Sequence, residues 1–486
     1  MTGSSADGLT IAIVGGGITG LSAAHRLYEI ARDRGVSVRV RLFEASHRLG
    51  GNIRTERADG YLLEGGPDQI VRHKPAGLEL IRRLSLDDQV LPIDARSGAV
   101  QVVRRGRPVP LPPGCTMMGP PRLLPLWRSP FLSWWGKARI SCEPLIARRK
   151  GPAADESLRS FATRRFGREP FDRIFEPIIA GIFTADADEL SLDMTLPQLL
   201  QLERQHGSIV KALRHRFGDR AAPGPARRTA ACLSLREGMG QLVKRLVSRL
   251  PRDWVQTSAR VERATPAERT AGWRLEIAGR KALEADALIL ACPSHVSSRL
   301  LEWDAPLARD LARLEYASCA TVNLAYPAAA VGRPLDGFGF FVGRSEKLPI
   351  LACSHVSVKY PDRVPRDRIL LRAFLGGARD PELLDRDDDA LVALAHRTLS
   401  GLLRIESEPV FHRIHRFPAS MPQYPVGYRS VMQTIVERVR RHPGLALSGG
   451  VLGAVGLPDC IATAEAAASD AMEHAESLWQ RASRTG

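Results

Sequence analysis

Three glycines at fixed spacing are the residues in this chain whose chemistry is easiest to state. Gly15, Gly17 and Gly20 belong to the run Gly15-Gly16-Gly17-Ile18-Thr19-Gly20, which comes after the β-branched stretch LTIAIV and opens the helical stretch LSAAHRLYEIARDRG. In a strand–turn–helix context the first glycine permits the tight turn, the second lets backbone approach a pyrophosphate, and the third lets the helix pack closely on the strand. The phosphates then rest on the free amides of the helix N-terminus. A second β-rich stretch, VSVRVRLFEA, delivers Glu44, a carboxylate placed to accept hydrogen bonds from ribose hydroxyls. This is the chemistry of dinucleotide binding.

The loop after Glu44 discriminates between dinucleotides. Ala45-Ser46-His47-Arg48-Leu49-Gly50-Gly51-Asn52 completes an E-x-x-x-R-x-G-G pattern. It resembles the extension of FAD-binding flavoproteins of the amine-oxidase type and favours FAD over a nicotinamide. The resemblance implies that Arg48 supports the diphosphate and that Gly50, Gly51 and Asn52 bring backbone to the flavin side. A second turn of small residues, Gly65-Gly66-Pro67-Asp68, is expected beside the cofactor, and Val261 is expected to offer backbone to the adenine. Near the C-terminus a strand enters a glycine-rich turn at Gly449 and Gly450, and Val455, Gly456 and Leu457 open an alanine-rich helix. A second helix N-terminus there would stabilise negative charge on a reduced isoalloxazine.

Those residues need a parallel sheet to hold them. Leu21, Ala24, Leu27 and Ala31 fall at helical spacing with Gly35 as the stop, so the first unit reads as βαβ. RRGRPVPLPPG reads as strand and turn, and residues 156–216 as helical with breaks at Pro177, Pro197 and Gly207. WVQTSARVERA, GWRLEIAG and ADALILACPS read as three returning strands; GFGFFVG and RILLRAFLGG belong to a second sheet. The expected fold class is α/β with α+β character. A Rossmann-like FAD-binding domain of the amine-oxidase type is spread over 9–95, 232–298 and 416–480. A β-sheet substrate domain takes 96–115 and 299–415, and a helical insertion takes 116–231. Within the insertion Trp127, Phe131, Trp134 and Trp135, flanked by Arg122, Arg128, Lys137 and Arg139, read either as a membrane or channel face or as a buried helix.

Composition narrows the function classes. A length of 486 residues allows about three domains at roughly 150 residues each, and 44% apolar with 25% charged residues excludes wholesale disorder. No run approaches the ~20 apolar residues of a spanning helix. The opening MTGSSADG lacks the charged and apolar regions of a secretory leader. The expected location is therefore cytoplasmic, with peripheral contact at the inner membrane face left open. Cys115, Cys142, Cys232, Cys292, Cys319, Cys353 and Cys460 are scattered, so no zinc or dithiol motif is read, no metal is expected, and a reducing compartment suits the chain. Lys and Arg number 69 against 53 Asp and Glu, a net charge of +16. The arginines interleave with acids and form no basic–aromatic motif, so nucleic acid is not an expected partner. The surplus suits an anionic ligand or membrane.

Beyond the nucleotide site, a series of segments resembles the FAD-dependent porphyrinogen oxidases of haem biosynthesis, which act on protoporphyrinogen IX or coproporphyrinogen III. They are LLEGGPDQIVRHKPAGLELIRRLSL, EPIIAGIFTADADELSLDMTLPQLLQLERQHGSIVKAL, LREGMGQLV, GFGFFVGRSEKLPILACSHVSVKYPDRVP, RAFLGGARD, MPQYPVGY and SGGVLGAVGLPDCI. The resemblance runs almost the full chain, and the GSI, GFGFFV and PQYPVGY segments are its most selective parts. It implies a six-electron oxidation in three two-electron cycles, with hydride leaving a meso carbon for flavin N5, oxygen as acceptor and hydrogen peroxide released. No catalytic side chain is named, because the flavin carries the chemistry. The macrocycle would lie against Phe338, Phe341 and Phe374, with Gly181 and Ile182 near its opposite face and Asp186 contacting pyrrole N–H groups.

Four departures bear on substrate choice and turnover. Ala185-Asp186 replaces Gly-Asp, Gln69-Ile70 replaces Ser-Phe, Gly449-Gly450 replaces Gly-Asn, and Val100 stands where some members have an arginine facing a propionate. Two alternatives stay open: an amine- or polyene-oxidising flavoenzyme of the same fold, and a redox-inactive FAD-binding scaffold. So does assembly as a homodimer.

Overall fold

The computed structural model describes residues 8–93, 100–112, 115, 119–120, 122–149, 155–217, 232–268 and 271–485. The leader reading at residues 1–7 and the end of the proline-rich turn at Pro113 and Gly114 lie outside the described residues.

A five-stranded parallel sheet draws its strands from three distant parts of the chain. Its order is Val255–Gln256, Val38–Phe43, Leu9–Val14, Ala287–Leu290, Leu445–Leu447. The side chains of Leu9–Val14 alternate between two covered faces. Ile11 and Ile13 meet the helices Ile18–Arg34 and Leu457–Thr485, whereas Ala12 and Val14 meet a three-stranded antiparallel sheet, Val261–Pro266, Trp273–Ile277, Leu283–Ala285. The two helices pack through buried alanines, among them Ala23, Ala24, Ala464, Ala467, Ala468 and Ala471. Gly35 ends the first helix in the left-handed conformation, φ 65, its amide returning to Ala31 and Arg32 carbonyls.

One expected strand divides. WVQTSARVERA contributes Val255–Gln256 to the parallel sheet and Val261–Pro266 to the antiparallel one. Between them Ser258 has φ 48. The Ser258 and Ala259 amides donate to the carbonyls of Ser46 (2.8 Å) and Glu44 (2.9 Å), which draws the chain off one sheet towards the Glu44 loop.

The second sheet has seven strands, in the order Phe411–Gln423, Glu315–Pro327, Arg368–Gly376, Ala352–His355, Gly339–Phe341, Gln101–Arg104, Arg107–Pro110. Helix Asp388–Leu403 covers its back face over Val322, Leu324, Phe340, Leu371, Ala373 and Leu375. Its front face looks towards the glycine turns and the helical insertion. The boundaries drawn at 298/299 and 415/416 fall inside helix Ser294–Leu300 and strand Phe411–Gln423.

In the insertion, Pro197 opens helix Pro197–His206 and Gly207 closes it at φ 69. Pro177 does not break its segment. A π turn, Phe171–Phe175, leads directly into helix Glu176–Phe183. The wider turn relieves the demand for a Pro177 N–H and the crowding of its ring. Glu143, fully buried, accepts from the amides of Ile209 (2.9 Å) and Val210 (3.2 Å) and pairs with buried Arg165. The aromatic stretch splits as well. Phe131 is core, Lys137 Nζ donates to the Trp127 carbonyl (2.9 Å), and Arg139 donates to the carbonyls of Arg164 and Arg165. Those groups face inward, as in the buried-helix alternative. Trp134 and Trp135 remain 73% and 85% exposed, and Leu124 and Leu145 of the same insertion are exposed as well. Among the described residues no helix is long and apolar enough to cross a membrane.

Candidate functional site

The glycine run forms a cradle that side chains would fill. Gly15 has φ 111, and a Cβ on Gly20 would stand 1.8 Å from the Gly15 carbonyl oxygen, so helix and strand touch through bare backbone. A Cβ on Gly17 meets only the Gly51 Cα at 3.8 Å. The Gly50 amide donates to the Gly16 carbonyl (2.8 Å), which joins the two glycine loops. Glu44 accepts from the amides of Gly16 and Ser46, each at 2.7 Å, and so stands at the mouth of the cradle with acceptor capacity remaining. From the far end of the chain Gly449, φ 85, comes within 3.6 Å of Thr19 through its Cβ position. Close-approach glycines, a helix N-terminus and an acidic residue fit the pyrophosphate and ribose of FAD. Ala45 begins the loop after Glu44, and Val261 lies two residues beyond the Ala259–Glu44 contact.

Three expected cofactor residues are otherwise engaged. Arg48 donates to the carbonyls of Leu49 (3.2 Å), Gly51 and Ile53 (3.3 Å), so it shapes the loop rather than reaching for a diphosphate. The Gly456 amide, near Val455 and Leu457, faces Asp459 at 3.4 Å, and Asp459 pairs with Lys74 at 2.5 Å. That helix start already carries its own anion. The Asp68 carboxylate is taken by Lys359 Nζ (2.7 Å) and Arg372 Nη2 (3.0 Å). Burial works to raise the Asp68 pKa, but the two cations outweigh it and hold the group well below the usual carboxylate range.

Register across the second sheet places a row of side chains on its front face. Phe341 pairs with Ala352, Ala352 with Phe374, Phe374 with Thr321, and Thr321 with His415. The row is roofed at two points. At one end Gly181 of helix Glu176–Phe183 lies on the Phe341 ring. At the other, Thr321 Oγ1 donates to the Gly65 carbonyl (2.8 Å), and a Cβ on Gly65 would stand 2.6 Å from the His415 ring. Between these roofs the front face spans about 14 Å, at ~4.8 Å per strand, over small Ala352 and the Phe374 ring, and this stretch is the candidate slot.

Of the expected substrate residues, Phe341, Phe374 and Gly181 meet at this slot. Phe338 does not: Gly339, φ 135, ends the strand before it, and Phe338 packs with Tyr61, Val356 and Tyr360. Ile182 is 43% exposed, on the solvent side. Asp186 is paired with Arg344 at 2.5 Å, so its carboxylate is already committed. The sequence reading missed Thr321, Ala352, Lys359 and Arg372. A single charge inside the apolar strand RILLRAFLGG was the available signal for Arg372, since a buried arginine needs a partner.

The family model described as flavin containing amine oxidoreductase matches residues 18–472. A coproporphyrinogen III oxidase of Propionibacterium freudenreichii subsp. freudenreichii is 33% identical over an alignment of 517 positions, covering 97% of this chain and 92% of the relative. The coproporphyrinogen III oxidase of Bacillus subtilis (strain 168) is 30% identical over 466 residues, covering 96% and 98%. A crystal structure from Exiguobacterium sp. 255-15, described as a putative protoporphyrinogen oxidase, superposes with a TM-score of 0.84 at 29% identity, covering 97% of this chain and 100% of that one.

Proposed function

The chain belongs to the flavin-containing amine oxidoreductase family; it is an FAD enzyme that oxidises porphyrinogens in haem biosynthesis, and we propose that its substrate is coproporphyrinogen III. The observation that carries this reading is the slot over Ala352 and Phe374, closed at one end by Gly181 on Phe341 and at the other by the Gly65 turn. When bound, FAD would supply the oxidant for three cycles, each removing two electrons and two hydrogens (a hydride and a proton) from the macrocycle, with oxygen as the final acceptor and hydrogen peroxide as its product. The chain's own part is to orient and to enclose. The Phe341 and Phe374 rings offer apolar surface to the puckered macrocycle, the Phe374 ring with the Arg372 guanidinium 4.9 Å from its centroid, Ala352 leaves room between them, and the bare backbone of Gly181 sets the height. An enclosed apolar slot keeps water from the reacting carbon.

The choice of the more anionic substrate has two supports. The relatives at 33% and 30% identity carry that name. Beside the Phe341 end, a cleft of about 190 Å³ is lined by Arg104, Arg105 and Arg173, three cations set against the carboxylates of Asp172 and Glu346. Arginine forks match carboxylates, and coproporphyrinogen III carries four propionates where protoporphyrinogen IX carries two. Exposed Trp134 and Trp135 support a peripheral membrane contact near the same insertion.

The test is side-by-side turnover of the two porphyrinogens by FAD-loaded protein, monitored at the porphyrin Soret band. Faster formation of coproporphyrin III supports the reading; preference for protoporphyrinogen IX overturns the substrate choice. A flavin-loaded protein that makes neither porphyrin overturns the reaction.

A further inference from the structure

We propose that Thr321 is a positioning residue for the flavin: its hydroxyl holds the Gly65 carbonyl so that the Gly66 amide is aimed, as a fixed donor, at the cofactor's redox-active ring. This rests on the reading that the turn from Gly65 to Asp68 borders the isoalloxazine.

Thr321 is buried, and its Oγ1 donates to the Gly65 carbonyl at 2.8 Å. The Gly65–Gly66 peptide is trans, like every peptide described, and in a trans peptide the C=O and N–H point in opposite directions. With its carbonyl on the sheet, the peptide must direct the Gly66 N–H away from it. The rest of the turn is tied to the same side. Arg372 Nη1 donates to the carbonyls of Glu64 (2.9 Å) and Gly66 (3.0 Å), and the Asp68 carbonyl accepts from Ser234 Oγ (2.7 Å) and Tyr360 OH (3.0 Å). The Gly65 amide is spent on the Arg54 carbonyl (2.8 Å), and Pro67 has none. The Gly66 amide makes no hydrogen bond to a described residue. A Cβ on Gly66 would stand 1.9 Å from the Asn52 carbonyl oxygen, so the turn lies directly against the Gly50–Asn52 loop, on the cofactor side.

A donor that cannot turn away serves charge that develops during reaction. On taking up two electrons and one proton the flavin ring gains one negative charge, so an aimed amide favours the reduced form and raises the reduction potential. Thr321 sets that aim without touching the ring.

The experiment compares reduction potentials of FAD-loaded wild type, Thr321→Val and Thr321→Ser by dye-equilibrated reductive titration. Loss of the hydroxyl in Thr321→Val is expected to cut the reduced-to-oxidised ratio at fixed poise about tenfold, which is about 30 mV for this two-electron couple; Thr321→Ser is expected to match wild type. An unchanged potential in Thr321→Val, or an equal shift in Thr321→Ser, overturns the proposal. If Thr321→Val does not fold, hydrogen exchange in the wild-type holoenzyme decides. The Gly66 amide is expected to exchange more slowly when the flavin is reduced, and equal rates overturn the proposal. Protein that takes up no FAD would overturn the site reading and this role together, whereas a bound flavin indifferent to the hydroxyl overturns this role alone.

Discussion

Gly181 rests on the ring of Phe341: a Cβ built on Gly181 would stand 2.2 Å from Phe341 Cδ1. The contact sets how near helix Glu176–Phe183 comes to the front face, and hence how thick a guest the slot admits. It also reverses the usual sign of a helical glycine substitution. Elsewhere in a helix alanine gains roughly 0.5–1 kcal/mol over glycine. Here the new methyl must displace a ring, at a cost of about 1–3 kcal/mol. Gly181→Ala is therefore expected to lower Tm and to raise KM for porphyrinogen about tenfold while FAD content is kept. Adding Phe341→Leu is expected to restore Tm. Thermal melts and steady-state kinetics check both.

Glu64 gives the fold a pH dependence. Burial is the largest influence on its pKa and pushes it up to about 7, against opposing hydrogen bonds from Thr55 and the Met239 amide, with Arg363 3.7 Å away. The folded pKa lies above the unfolded value of 4.5, so the contribution is intact below about pH 4.5 and is lost as pH rises through 7. The loss is on the order of 2–4 kcal/mol. Glu64→Gln is expected to remove most of that slope, which urea unfolding midpoints measured from pH 5 to pH 8 would show. An unaltered slope contradicts the assignment.

Local motifs were legible in the sequence and long-range register was not. The run from Gly15 to Glu44 declares itself because strand, turn, helix and acid succeed one another within one unit. The three-part assembly of the parallel sheet could be read because each part brings its own apolar run. By contrast, the row from Phe341 through Ala352 and Phe374 to Thr321 exists only through pairing of distant strands. Phe338, three positions from Phe341, leaves that row because Gly339 ends the strand. Asp68 looked like a cofactor residue because its cations, Lys359 and Arg372, lie hundreds of positions away. The GSI segment was selective for a structural reason: Gly207 caps one helix, and Ser208 with the Ile209 and Val210 amides closes on buried Glu143.

The Asp68 cluster joins the Gly65 turn to the second sheet through buried charge. Asp68→Asn would leave Lys359 and Arg372, 7% and 4% exposed at their side chains, without their shared anion. Breaking such a buried pair from one side costs about 3–5 kcal/mol. The depressed pKa means that the native contribution is present above the ordinary carboxylate range and is lost only as pH falls below it. Asp68→Asn is expected to lower Tm and to release FAD on dilution, and Lys359→Met added to it is expected to recover part of the loss. Calorimetry and retained flavin absorbance measure the two effects. A recovery of zero would show that Lys359 acts independently of Asp68.

The exposed indoles offer a test of the proposed membrane contact separable from catalysis. Trp135 is 85% exposed and Trp134, although 73% exposed, still touches Trp127 (ring centroids 5.6 Å) and Lys137 (Nζ 5.3 Å from the ring). Trp135→Ser removes apolar surface without disturbing a packed neighbour, so stability should stay within about 0.5 kcal/mol. An indole that buries on the order of 150 Å² in an interface, at about 25 cal/mol per Å², contributes several kcal/mol. A tenfold loss of binding to anionic vesicles is therefore a lower bound for Trp135→Ser, and Trp134→Ser added to it should lose more. Cosedimentation with vesicles measures the loss, while porphyrinogen turnover in detergent should equal wild type. If wild type and both variants sediment alike, the indoles do not face a membrane.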